Sequence, residues 1–292
     1  MVSLAFWLSN MPDIFGLLAI ATKFALYLGV LASAGTVIVA LLFRLRHFRN
    51  LCLTFSVIGL VAAIIAFLLR GANLTGDISG MVDPEMLSLL WSTPVGTVLI
   101  YRIVGLGLVV LGIYTGYVGL WVSAVGSVIA ISSFSHIGHV GALETTFLDL
   151  TLTLHLIVVS SWIGILIPLK WLISSPQTWP DAVSLGHKFG LVAIVTVPLL
   201  IAAGTYMSYM LVGSVSALFS TGYGQVLILK VILVGWLLAL AAANKLRFIP
   251  RLREGDPKAA AHLATSINME WLVILAVLGA TAVLTSSLEL PI

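Results

Sequence analysis

Imidazole and thioether side chains recur in this chain in spacings that suit a soft metal ion. His136 and His139 stand three apart in Ser135-His136-Ile137-Gly138-His139, and His155 lies inside the next apolar run. Met207 and Met210 stand three apart in Tyr206-Met207-Ser208-Tyr209-Met210, while Met81 and Met86 fall in a long polar connection. Thioether sulfur combined with imidazole selects copper, and the sulfurs favour Cu(I). Residues three apart share a helix face, so Met207 and Met210 could grip one ion. Each element alone has a plainer reading: methionines pack membrane helices, and an H-x-x-H pair at a helix end makes interfacial hydrogen bonds. His155 is harder to dismiss, because an ionisable group within a membrane span is costly unless it meets a partner or a cavity.

A second set consists of charges inside hydrophobic runs: Lys23, Arg102, Lys230 and Glu270. Two of the cations belong to an internal echo about 128 positions apart. Thr93-Pro94-Val95-Gly96 leads to Arg102, and Thr221-Gly222-Tyr223-Gly224 leads to Lys230, each cation six residues after the glycine. The cations could snorkel to headgroups or pair with carbonyls or anionic groups inside a bundle. Three of them along a copper path would repel the ion, which favours a structural or gating role. Glu270 is too short to snorkel far and is expected to meet Asn244, Lys245 or a backbone donor.

The elements that must position these groups are membrane helices. Of 292 residues, 60% are hydrophobic and 9% charged, outside the range of an ordinary soluble domain. A bilayer core takes about 20 apolar residues per helix. Eight such runs occur, near 14–43, 50–70, 95–118, 120–139, 148–172, 187–213, 223–245 and 263–288. They predict an all-α polytopic bundle of eight transmembrane helices rather than a barrel. Ala32-Ser33-Ala34 has the spacing of a signal-peptidase site, but no basic segment precedes it, so the first run is expected to be retained. Cys52 is the single cysteine, which excludes a disulfide framework or a paired-cysteine metal site.

Charge distribution predicts topology. Arg44, Arg46 and Arg49 crowd the first connection, and Lys245, Arg247, Arg251, Arg253 and Lys258 crowd the last, whereas Asp77, Asp83, Glu85 and Glu144 lie in connections of the opposite side. The basic loops are therefore expected in the cytoplasm, with both termini external. The basic balance reports topology, not nucleic-acid binding. In this frame the metal-binding side chains and the three cations fall in the outer half, with His155 about 10 Å below the surface. Pro84–Trp91 could form a short interfacial helix, and residues 246–262 are broken by Pro250 and Gly255-Asp256-Pro257. Further echoes link Gly59-Leu60-Val61-Ala62 with Gly190-Leu191-Val192-Ala193, and Leu26-Tyr27-Leu28 and Gly35 with Leu154-His155-Leu156 and Gly164. They predict one integral membrane domain of two parallel repeats, approximately 14–142 and 148–288.

No phosphate-binding glycine loop, nucleophile elbow or H-E-x-x-H motif is present, so the chain reads as a transporter or metal-binding protein rather than an enzyme. A haem clasped by His155 with His136 or His139 is the alternative cofactor reading. His187 lies at the other membrane face and cannot join His155 in it.

The ordered set of motifs resembles the bacterial copper resistance protein D family. The resemblance rests on Gly138-His139, on His155-Leu156 with Trp162 and Gly164, and on Tyr223-Gly224-Gln225 with Leu229-Lys230. Ala243-Asn244, Pro250-Arg251 and Met269-Glu270 continue it, and Thr93, Gly96 and Arg102 extend it into the first half. It implies an eight-helix protein of the bacterial inner membrane that moves copper from the periplasm toward the cytoplasm. The family often has histidines where this chain has Leu26 and Leu152, and an alanine where it has Val140. The reading that follows is a monomeric or homodimeric bundle that receives copper externally, with a periplasmic copper carrier as one expected partner. Met81 or Met86 and His136 would recruit the ion, and His139, His155, Met207 and Met210 would hold it. Glu270 would lie along the inward route. A copper acceptor without transport is the further alternative.

Overall fold

The computed structural model describes residues 13–45, 47–138 and 145–288. Regular structure among them is entirely helical. The elements are α1 (Ile14–Phe43), α2 (Arg49–Thr75), a 3-10 turn (Ile78–Met81), α3 (Pro84–Trp91), α4 (Pro94–Gly112), α5 (Gly116–Ser132) and α6 (Thr146–Ile173). There follow α7 (Trp179–Val212), α8 (Val215–Ser220), α9 (Gly222–Ala243), a π turn (Asn244–Phe248), α10 (Ile249–Arg253) and α11 (Pro257–Ser286). Seven helices among the described residues are long and apolar enough to cross a membrane. The eighth expected span corresponds to α5, which is apolar but 17 residues long, about 26 Å at the helical rise. The chain is a multi-pass membrane bundle.

Capping residues set the helix starts. Asp13, Asp83 and Asp256 accept backbone N–H bonds at the heads of α1, α3 and α11, and Thr93 and Thr221 do so for α4 and α9. Proline follows the cap in α3, α4 and α11, where its missing N–H costs nothing. The expected break over 246–262 is only partly realised. Pro250 sits in the first turn of α10, directly after the π turn, so the chain stays helical to Arg253. Gly255, at φ +81°, then turns it into α11.

The centre of the bundle is α1, buried from Leu26 to Val37 except at half-buried Leu28 and in contact with α2, α4, α5, α6 and α11. A helix apolar all round is expected at such a position. Around α6 the neighbours are α1, α5, α7 and α11, and α9 lies against α11 while touching α7 only sparingly. The tightest junction joins α1 to α6. A Cβ on Gly35 would stand 1.8 Å from the Ser160 carbonyl oxygen, and one on Gly164 would stand 2.1 Å from the Gly35 carbonyl carbon. Small residues permit this backbone approach where lipid supplies no hydrophobic drive.

Gly35→Ala should therefore lower stability by about 1–3 kcal/mol through overpacking. Gly107→Ala in α4, where a Cβ meets nothing within 4 Å, should be tolerated. Thermal unfolding of both variants in detergent checks the contrast.

Candidate functional site

Toward the end of the bundle that carries Asp77, Asp83 and Glu85, the helices enclose a cavity of about 940 Å³. Its wall takes residues from α1, α2, α4, α6, α7, α9 and α11. His155 and Met207 both line it, and so do Lys23, Arg102 and Lys230. Three of the expected intramembrane cations and two of the expected copper ligands thus share one chamber.

His155 reaches the wall from α6. Its Nδ1 is buried without a hydrogen-bond partner among the described residues. The ring faces α7 at Gly204, where an added Cβ would lie 3.9 Å from Cε1. An orphaned imidazole nitrogen beside a residue with no side chain leaves room for a ligand bond. Met207 follows Gly204 on the same helix by about one turn, buried against Leu148 and lining the cavity. Met210 packs into the same small cluster but is not part of the cavity wall.

The remaining candidates lie elsewhere. His136 is exposed, its Nδ1 donating to the Ser132 carbonyl oxygen at 2.9 Å, and its ring stands edge-on to Tyr101 at 5.1 Å. It does not line the cavity that His155 lines. His139 lies outside the described residues, as do Val140 and Glu144. Met81 closes the 3-10 turn and Met86 lies in α3, both away from the cavity wall. Leu26 and Leu152 do line it, as His155 does. Among the described residues no group of three or more His, Cys, Asp or Glu is placed to hold a metal.

The cations are anchored unequally. Lys23 donates to the Thr285 carbonyl in the last turn of α11, where helix carbonyls lack intrahelical partners. Arg102 donates from Nε to Ser133 Oγ at 3.1 Å and stacks over Phe134 at 5.3 Å. Sequence reading missed a fourth, Arg70, because it ends the second apolar run. The helix in fact continues to Thr75, and this carries Arg70 onto the cavity wall. Glu270 is fully buried on α11 and accepts from Trp162 Nε1 at 2.9 Å and from Asn244 Nδ2. Asn244 is the expected partner. Trp162 was singled out only as part of a motif, yet it lines the cavity and holds Glu270 as well. Lys245, the other candidate, donates to the Gly190 carbonyl at 2.8 Å.

The two halves of the sequence echo have the same local construction. Thr93 caps α4 and Thr221 caps α9. A Cβ on Gly96 would strike the Trp91 carbonyl oxygen of α3, and one on Gly224 that of Leu218 in α8, each at 2.3 Å. Arg102 and Lys230 then stand two turns along, on the same cavity.

With this geometry in view, the comparisons with known proteins are decisive. The model of copper resistance protein D matches residues 184–284, and that of the copper resistance protein D-like N-terminal domain matches residues 11–150. The chain belongs to the copper resistance protein D family. It is 29% identical over 122 residues to the inner membrane protein YebZ of Escherichia coli (strain K12), covering 41% of this chain and 42% of that one. It is likewise 29% identical over 153 residues to the copper transport protein CutJ of Bacillus subtilis (strain 168), covering 51% of this chain and 27% of that one. The chain therefore spans less than half the length of either relative. No solved structure matches it.

The Trp162–Glu270 bond has a measurable consequence. Trp162→Phe keeps the aromatic volume but leaves one buried Glu270 oxygen without its donor, at a cost of about 1–3 kcal/mol. A lowered unfolding temperature in detergent, with Trp171→Phe at an exposed position as the unaffected control, is the expected result.

Proposed function

We propose that this protein binds copper within its cavity and moves it from the external side of the inner membrane toward the cytoplasm. The reading is supported above all by one conjunction. In a chain of the copper resistance protein D family, an imidazole with an unpartnered buried nitrogen and a thioether line the same intramembrane chamber. Both relatives are membrane or copper proteins by name, and this agrees with it.

On this reading the end bearing Asp77, Asp83 and Glu85 faces outward, and the arginine- and lysine-rich connections face the cytoplasm. His155 and Met207 supply the principal ligands, a soft pair suited to Cu(I), which is content with few donors. Met210 stands one helical turn further out and relays the ion toward Met207. His136 and His139, with Met81 and Met86, serve the external approach. Trp162 lines the chamber and Glu270 lies behind it, so that inward passage requires their hydrogen bond to yield. The like-built junctions before α4 and α9, and the meeting of Gly35 with Gly164, support two repeats that pack across α1 and α6 and could rock about that contact.

The test is copper retention by anaerobically purified protein after Cu(I) loading and desalting. About one copper per chain is expected, lost in the His155→Ala, Met207→Ala double variant and reduced about tenfold or more in affinity by either change alone. Equal retention by the double variant and the unaltered protein would refute the assignment of the site. Copper flux into proteoliposomes then separates a transporter from an acceptor that binds without transport.

A further inference from the structure

The cavity is far larger than one copper ion needs, and its charge has the wrong sign for one. Lys23, Arg70, Arg102 and Lys230 line it, and among the described residues no aspartate or glutamate does. Arg70 and Arg102 both lie within electrostatic range of Lys23, and Lys230 within range of His155. Among the described residues no carboxylate pairs with any of the four; Lys23 and Arg102 each make one hydrogen bond, Lys230 is half-buried, and Arg70 is an exposed side chain on the wall. Like charges gathered in a low-dielectric chamber raise one another's energy, and an anion between them removes that penalty.

The layout of the walls identifies the anion. All four cations occur about 8–14 Å from the same-side ends of their helices at 1.5 Å per residue, so they form a layer. Deeper along the cavity the wall is hydrocarbon, from Val159 and Ile163 on α6, Leu237 and Leu238 on α9, and Ile274 and Leu278 on α11. The chamber is also open sideways. Ile201 on α7 and Val231 and Ile232 on α9 line it and yet are 51%, 61% and 60% exposed, at a level of the bundle that faces acyl chains. This is where α7 and α9 barely touch. A polar layer above an apolar shaft, with a lateral opening to lipid, matches the order of headgroup and chain in a membrane leaflet. A small hydrophilic anion would leave the shaft empty.

We infer that the cavity binds an anionic phospholipid, its phosphate among Lys23, Arg70, Arg102 and Lys230 and one acyl chain along the apolar shaft. Arg102 and Arg70 offer forked donors to phosphate oxygens, and the lysines add point charges. This inference does not depend on copper binding at His155.

Native mass spectrometry of the full chain in detergent, with phosphatidylglycerol and phosphatidylcholine of identical acyl chains added in equal amounts, provides the test. Phosphatidylglycerol should be retained preferentially, roughly tenfold over phosphatidylcholine. Arg102→Gln with Lys230→Gln should abolish the preference, whereas Lys230→Arg, which keeps the charge, and Arg251→Gln, outside the cavity, should preserve it. Equal retention of the two lipids by the unaltered protein would overturn the proposal, and so would a preference that survives the double variant. Loss of copper from the His155 and Met207 variant with the lipid preference intact would separate the two sites' contributions.

Discussion

The backbone contact between Gly35 and Gly164 is the constraint on which the remaining geometry depends. It brings α1 and α6 closer than any pair bearing side chains could approach, and both helices run through the middle of the bundle. Once their register is fixed, the functional side chains follow by helical arithmetic. Trp162 stands two residues before the contact and reaches Glu270, while His155 stands nine residues before it, about 13 Å along the axis. On α1, Tyr27 and Lys23 rise from the same junction to the opposite wall of the cavity. Beyond that contact the chamber is walled by α1 and α6 together with α7, α9 and α11.

Polar groups at the two levels are handled in opposite ways. Behind Trp162, the Glu270 carboxyl group has both oxygens occupied, one by an indole N–H and one by an amide N–H. A buried polar group so provided for rigidifies its surroundings, and removing one donor leaves an oxygen stranded. At the level of the cations the donors outnumber the acceptors. A helix-end carbonyl serves Lys23 and a serine hydroxyl and an aromatic face serve Arg102, but among the described residues no carboxylate pairs with half-buried Lys230 or exposed Arg70. The Glu270 group is self-sufficient. The chamber beside it is built to receive something.

Much of the architecture was legible in the sequence because hydrophobic length is a direct readout of a membrane span. The long runs became helices, and Pro84–Trp91 formed the short helix that its cap residues announce. Boundaries were less legible where polar residues continue a helix: Asn73 and Thr75 carry α2 beyond the run that ends at Arg70, and the π turn leads α9 past Lys245 into α10. At the site, depth could be read but azimuth could not. His155 and Met207 turned out to face one chamber, whereas His136, at a plausible depth, turns to Tyr101. Met207 and Met210 share a face by spacing, yet only Met207 reaches the cavity wall. The Trp162–Glu270 bond joins residues 108 positions apart, and no local pattern encodes such a pairing.

The two ligand readings of the chamber are physically connected. A monovalent copper ion about 10 Å from a single cation meets a repulsion of about 2 kcal/mol at an effective dielectric constant near 20. Four cations on the wall multiply that opposition, and a histidine and a methionine must overcome it in addition to the cost of dehydrating the ion. An anionic headgroup seated among the cations cancels most of the field before the metal arrives. The same cations that would exclude copper from an empty chamber then become the means of fixing a counter-anion beside its ligands. Leu26 and Leu152 add only hydrocarbon to the wall beside His155, so few nitrogen donors offset the field. The dependence is one of charge balance: a cavity whose described wall carries four cations and no carboxylate accepts a further cation more readily together with an anion.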